Sequence, residues 1–385
     1  MNEDRYPLFD AWPRLRDALP RVRLGAWPTP VQGAPGLARW LGVENVWIKR
    51  EDLCAAFGGN KVRGLELLLG DAERRGAETV LTIGSAGSYH VRTTAVYAVQ
   101  RGLNLTALLV HQPRAAYVRR NITVAYRSGA GLRPVRIPML PVAFAGEYAR
   151  AWRRDGTRPA VIPAGGSGPL ACMSHVNAAL EMRDQIVAGA LPEPDLLFVP
   201  MGSMGTAAGL SLGCRLAGLK TRVVGVVVFS RWYCTAARTM RLARRTLRRL
   251  SAWAPAVERV ELARGDVTVV GDVLGRGYAH FTREGVEAAQ ALYDAEGIVA
   301  DGTYTAKMYA GLRSFLRSAD GMGRRVLIWH THAAGPAVAP LSEAELAQLP
   351  RGLRTYFRDT PQPLDAALPK SEEKSPDRPI ALVAD

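Results

Sequence analysis

Cysteine is scarce in this chain and never paired: Cys54, Cys172, Cys214 and Cys234 stand far apart, with no CxxC or zinc spacing. That argues against a disulfide-stapled scaffold and fits reduced thiols in the cytoplasm. No apolar run approaches the ~18–20 residues needed to span a bilayer, and the N-terminal MNEDRYPLFD lacks a signal-like apolar stretch. No membrane partner is expected. Acidic residues are also few, 35 against 50 lysines and arginines, which leaves a net charge of +15. The densest basic run is RTMRLARRTLRRL, Arg238–Leu250. Its Met240, Leu242, Leu247 and Leu250 recur at helical intervals, so it reads as an amphipathic helix with a solvated basic face. No aromatic residue alternates with the arginines, and no helix-turn-helix, zinc-finger or RNP signature is present. Nucleic acid is not an expected partner. Internal repeats are absent too.

What is present is an alternating pattern. Short apolar runs end in glycine-rich turns and pass into helix-like segments: TVLTIG (79–84), LNLTALLV (103–110), DLLFVP (195–200), TRVVGVVVFS (221–230) and RVLIWHTH (325–332). Strands and helices at this spacing predict an α/β protein built on parallel sheets. Hydrophobic residues make up 48% of the 385, ample for about two domains at ~100–200 residues each. In such sheets ligands sit at the carboxyl ends of the strands, where these glycine-rich turns fall. The polar, proline-rich tail 361–385 is expected to be disordered.

Four stretches carry chemistry. In AAFGGNKVRGLELLLG (55–70), Lys61 opens an apolar helical pattern. A cation at the positive end of a helix dipole is disfavoured by up to ~1 kcal/mol, and such surroundings favour the neutral, nucleophilic amine. GSMGTAAGL (202–210) follows a strand and opens a helix, so backbone N–H groups, with the Ser203 and Thr206 hydroxyls, form an anion cradle. It matches neither the dinucleotide GxGxxG pattern nor a Walker loop. A single phosphate suits it; a tight turn with no ligand would look the same. GSAGSYH (84–90) offers Ser85, Ser88 and free N–H groups to a carboxylate, or Ser88 simply caps a helix. In DGTYTAKMYAGL (301–312), Tyr304 and Thr305 can face a ligand from a helix start. His330 and His332 share one face of a strand, but no third ligand lies near in sequence, so no metal is expected. Thr331 points to the other face. A lysine nucleophile, a monophosphate cradle, a carboxylate turn and several hydroxyls together describe a site for pyridoxal 5′-phosphate (PLP) and an amino acid.

At this point the chain resembles the PLP-dependent family that contains D-cysteine desulfhydrase and 1-aminocyclopropane-1-carboxylate deaminase. The matching segments run from about Leu19 to Pro336: PRVRLGAWPTPV, IKREDLCAAFGGNK, GSAGSYHVR, VIPAGGSGPLACMSHVNAALEM, GSMGTAAGL, EGIVADGTYTAKMYAGL and WHTHAAGP. The resemblance implies the tryptophan synthase β-like fold (fold type II), two open twisted α/β domains with the cofactor in the cleft between them. Residues 1–65 plus 176–360 would form the large cofactor domain and 66–175 the small one. It implies covalent attachment of PLP through Lys61 with Asn60 beside it, and the cofactor phosphate on Gly202, Ser203, Met204, Gly205 and Thr206. Thr331 would face the pyridine nitrogen. Lys61, Ser88 and Tyr304 would be catalytic, and Ser85, Ser88, Tyr89, His90, Tyr304 and Thr305 would surround a small amino-acid substrate. A cytoplasmic homodimer is the family's habit.

Thr305 and Thr331 stand where the cyclopropane deaminases carry glutamate and leucine, which points to the desulfhydrase branch. The implied reaction is an α,β-elimination giving a 2-oxo acid, ammonia and the leaving group. Tyr89, Met204, His332, Ala333 and Ala306 depart from the family pattern, four of them replacing glycine and Tyr89 an asparagine. That added bulk leaves two other readings open: a different PLP reaction such as β-replacement or racemisation in a specialised pathway, or a catalytically silent PLP-binding homologue.

Overall fold

The structure is a computed structural model that describes residues 5–332 and 335–369. Within these residues ten strands form two sheets. The larger runs β1-β2-β10-β7-β8-β9, from β1 (Val31–Gly33), β2 (Val46–Arg50), β7 (Leu196–Met201), β8 (Arg222–Val227), β9 (Val267–Val270) and β10 (Val326–His330). The smaller runs β5-β4-β3-β6, from β3 (Thr79–Ser85), β4 (Asn104–Val110), β5 (Gly131–Pro134) and β6 (Ala160–Ile162). Every pairing is parallel except the edge pair β1–β2. Parallel strands covered by helices on both faces read as continuous apolar runs. Val326–His330 is such a run, buried throughout. The expected strands are all present, each within a few residues of its predicted limits.

The most family-like run, IKRED, turns out to be structural. Lys49 on β2 donates to Glu181 and Gln185 on the helix Pro169–Val187. Arg63, on the helix Lys61–Arg74, bridges Glu51 at 2.6 Å and Glu181 at 2.9 Å. Thr29 joins the group by accepting from Lys49 and donating to Glu51. Arg63 holds Glu181 well below the usual carboxylate range against the opposing effect of burial. The network fastens β2 to the two helices that lie between the sheets.

The C-terminal region packs on the small-sheet side. Leu349, Leu353 and Tyr356, within the stretch expected in the large domain, share a core cluster with Val118 and Ile122. The Tyr356 hydroxyl accepts from the Gln112 amide and bonds His111 Nδ1 at 2.9 Å. Part of the supposedly disordered tail is ordered as well: Gln362 accepts from the Phe281 amide and donates to Ala279 and Arg114 carbonyls. Leu364 and Leu368 pack on the core. Apolar side chains and a bridging amide outweigh the proline content there; residues 370–385 lie outside the described residues.

The basic helix forms as Ala236–Ser251, with Met240 and Leu250 buried. All four cysteines are buried and free. Among the described residues no helix is long and apolar enough to cross a membrane.

Candidate active site

The carboxyl ends of β3, β4, β7, β8 and β10 open into one cavity of about 590 Å³. Ligand sites at this location are the rule for open parallel sheets. Of the residues singled out from sequence, Asn60, Lys61, Ser85, Ser88, Tyr89, His90, Gly202, Ser203, Met204, Thr206, Tyr304 and Thr331 all line it.

Lys61 is the first residue of the helix Lys61–Arg74, as expected. Its Nζ donates to the Gly165 carbonyl at 2.8 Å. Burial pushes the ammonium down to about 8; desolvation, rather than the helix dipole invoked from sequence, is the cause. Gly165 holds φ +68, and a Cβ there would meet Ser203 at 2.8 Å. Only glycine lets this carbonyl reach the amine. His90 beside the amine is driven to about 3 by burial, and His175 is lowered too, so both imidazoles are neutral.

The turn read as an anion cradle does open a helix. The amides of Gly202–Thr206 donate to no protein acceptor among the described residues. They lie at the N-terminus of the helix Gly205–Leu216. Buried amides are rarely left so. Asn60 donates to the Thr206 hydroxyl at 2.7 Å, and Ser167 donates to Ser203 at 2.6 Å. Met204 sits at φ +64, the left-handed region that glycine favours. Its side chain is buried among Met201, Ala207 and Leu210, which holds it there. Gly205 itself lies behind the cavity, where a Cβ would strike Ser167 Oγ at 2.5 Å. An amine on the floor, open amides with hydroxyls at a helix N-terminus, and Thr331 on the β10 side fit an aldehyde that bears one phosphate.

The carboxylate turn differs from expectation. Its Ala86, Gly87 and Ser88 amides are consumed by the Val110 carbonyl, Gln112 Oε1 and the Ser85 carbonyl. Ser88 does cap the helix Tyr89–Gln100, accepting from Val91 at 3.3 Å, while lining the cavity. The donors left to a carboxylate are the two serine hydroxyls and the first amides of that helix. Thr305 is also displaced: it is fully buried and spends its hydroxyl on Asp301 Oδ2 at 2.8 Å. It fastens the start of its helix and is not part of this cavity's lining.

Sequence reading missed Tyr278. Its hydroxyl lies 3.0 Å from Ser85 Oγ and 2.8 Å from Tyr304 Oη, joining the serine turn to the tyrosine. Lys307 donates to the Leu274 and Gly277 carbonyls and so holds the loop that carries Tyr278. Burial raises both phenols above their ordinary range, which keeps them protonated. No local motif announces Tyr278; only the loop's return to the cleft does. Two departures from the family pattern prove to be neighbours. Tyr89 packs edge-on against His332 at 5.9 Å and stacks on Tyr117 at 5.3 Å. His332 Nδ1 lies 3.7 Å from Asp301, too far for a hydrogen bond. The added bulk is packed together. Ala306, another such position, is fully buried in the large-sheet core, and Ala333 lies outside the described residues.

Fold and cavity together define a fold type II enzyme that uses PLP. The chain belongs to the pyridoxal-phosphate dependent enzyme family, which it matches over residues 22–332. It is 36% identical over 301 residues to a D-cysteine desulfhydrase of Klebsiella pneumoniae (strain 342), covering 76% of this chain and 87% of that protein. It is 37% identical over 331 residues to the nocardicin C-9′ epimerase of Nocardia uniformis subsp. tsuyamanensis, covering 84% and 97%. Among solved structures, an ACC deaminase homologue superposes with a TM-score of 0.70 at 29% identity, over 86% of this chain and 95% of that one. The processed form of threonine deaminase isoform 2 from Solanum lycopersicum shares the fold at 16% identity and a TM-score of 0.56, over 92% and 94%.

Proposed function

We propose that this protein is a PLP-dependent carbon–sulfur lyase of the D-cysteine desulfhydrase type, acting on a β-substituted amino acid. The observation that carries the reading is a single cavity shared by the Lys61 amine, the open amides of 202–206, Ser88 and Thr331. The similarity to D-cysteine desulfhydrases supports the same choice.

When bound, PLP supplies an electron sink that acidifies the substrate Cα–H. Lys61 would anchor the cofactor, and its amine would be the group placed to hold the proton taken from Cα. The amides and hydroxyls of Gly202–Thr206 would hold the phosphate. The Ser85 and Ser88 hydroxyls would orient the carboxylate, so that positioning shares the work with proton transfer. Tyr304 and Tyr278, kept protonated, are donors for a departing thiolate. Thr331, on the cavity wall, would offer the cofactor's ring a hydroxyl, which would hold a proton less firmly than a carboxylate and so would suit thiolate loss better than cyclopropane opening. The balance is one water in, with 2-oxo acid, ammonia and thiol out.

A second reading is favoured by a specific observation: the epimerase relative aligns over 84% of this chain. Epimerisation needs the same Cα proton removal and then its return from the other face. The protein in D₂O with D- and L-β-substituted amino acids separates the two. Release of 2-oxo acid and sulfide supports elimination; deuterium at Cα with inverted configuration and no release supports epimerisation. Cofactor trapped on Lys61 by borohydride, with neither outcome, identifies a silent homologue. The family resemblance supports a cytoplasmic homodimer, for which the sedimenting mass is twice 41.7 kDa.

A further inference from the structure

Six of the eleven large apolar side chains left in solvent among the described residues lie in two short segments. Ile137 (71% exposed), Met139 and Val142 lie just after β5; Phe229, Trp232 (92% exposed) and Tyr233 lie just after β8. The first segment belongs to the small-sheet side and the second to the large. Both reach the same opening: Ile137, Leu140, Pro113, Phe229 and Tyr233 line the cavity whose inner end holds Lys61 and Ser88. Clustered exposed apolar groups of this kind mark binding surfaces.

The large-sheet wall is a continuous run of rings. Tyr304 meets Tyr278 at 6.0 Å, Tyr278 meets Phe229 at 5.5 Å, and Phe229 meets Tyr233 at 5.8 Å, each edge-on. The run leads from the hydrogen-bonded phenols out to solvent, where the Arg238 guanidinium lies 5.0 Å over the Tyr233 ring. The one carboxylate on the lining, Asp301, is spent on the Thr303 and Tyr304 amides and the Thr305 hydroxyl. No charged side chain among these wall residues selects a charged group. A cysteine side chain ends two bonds beyond Cα, too short to follow a run of four rings spaced 5.5 to 6.0 Å apart. The ring run is continuous with the lining that holds Lys61 and Ser88, so the occupant is the substrate itself.

We propose that the natural substrate is a β-substituted amino acid whose β-group is large, uncharged and apolar, such as an aryl or branched alkyl thioether. Its amino-acid end lies at Lys61 and Ser88. Its apolar group lies between Ile137 and Leu140 on one side and Phe229 and Tyr233 on the other. The inference rests on the PLP reading above and narrows its substrate class.

The test titrates purified holoenzyme with D- and L-S-benzylcysteine and with D- and L-cysteine, following the visible absorption of the bound cofactor. One better-filled apolar pocket is worth about tenfold or more in discrimination, so S-benzylcysteine should bind at least about tenfold more tightly than cysteine. In Tyr233→Ala and Ile137→Asp, both at exposed positions that tolerate change, that ratio should fall toward one. Equal affinities in the parent protein overturn the proposal while leaving the PLP reading intact. So does a ratio preserved in both variants. Preparations without any cofactor absorption overturn both. A sedimenting mass halved by Ile137→Asp also overturns it, because the patch would then be an interface between copies.

Discussion

At the scale of single residues, the proposed chemistry rests on Lys61, and burial sets the readiness of its amine. Its amine titrates near 8 instead of 10.5. Below that pH it holds a proton and cannot attack an aldehyde; above it the lone pair is free. PLP added to cofactor-free protein should therefore attach at a rate that climbs as pH rises through about 8. Stability of the cofactor-free form moves the same way: between 8 and 10.5 the unfolded chain binds the extra proton, so raising pH favours the folded state. An attachment rate independent of pH across that range would count against a buried amine. Lys61→Ala should abolish both turnover and the cofactor's visible band. Tyr278→Phe removes the hydroxyl between Ser85 and Tyr304, and in the proposed donor role kcat falls about a hundredfold with KM changed far less. A change confined to KM would assign Tyr278 to positioning alone.

At the scale of elements, the decisive device is the buried ion network that clamps β2 to the helices Lys61–Arg74 and Pro169–Val187. Glu181 meets both Lys49 and Arg63. Removing one partner of such a group strands buried charge, so Glu181→Ala should cost about 3–5 kcal/mol, read as a lowered urea midpoint with unchanged slope. Lys49→Met should cost less, because Arg63 still pairs Glu181 and Glu51. The same logic explains why IKRED followed by FGGNK is so distinctive a string. Its first half orients the helix whose first residue is the lysine. The Met204 turn shows the converse: a left-handed residue is retained because its side chain is buried behind the cradle, a strain often kept at functional sites.

At the scale of the whole molecule, the C-terminal region ties the two sheet layers together. Gln362 bonds Arg114 on the small-sheet side and Phe281 and Ala279 on the large. Gln362→Ala leaves the Phe281 amide without its acceptor, at a cost of about 1–3 kcal/mol. Hydrogen exchange should rise at Phe281 and around Arg114, on both sides of the cleft. Protection unchanged at both places would show that the bridge contributes nothing. The charge of +15 is carried in part by arginines such as those of Ala236–Ser251, while no arginine lines the cavity, so composition and site speak of different parts of the molecule.

Local order in the chain was enough to determine the elements, the lysine at a helix start, the glycine-rich turn that opens the helix Gly205–Leu216 and the cofactor class. Strand runs, glycine turns and helix starts are properties of neighbours along the chain, and each anchors chemistry within a few residues. Only the tertiary structure decided the rest: Tyr278 delivered by a loop held by Lys307, Gly165 as the acceptor of the lysine amine, and Thr305 spent on Asp301. It also decided that Tyr89 and His332, 243 positions apart in the numbering, share one contact, and that the C-terminal helix completes the small-sheet core. These are matters of which distant groups meet. Burial and hydrogen-bond satisfaction settle them across the whole fold, and no stretch of the sequence carries them alone.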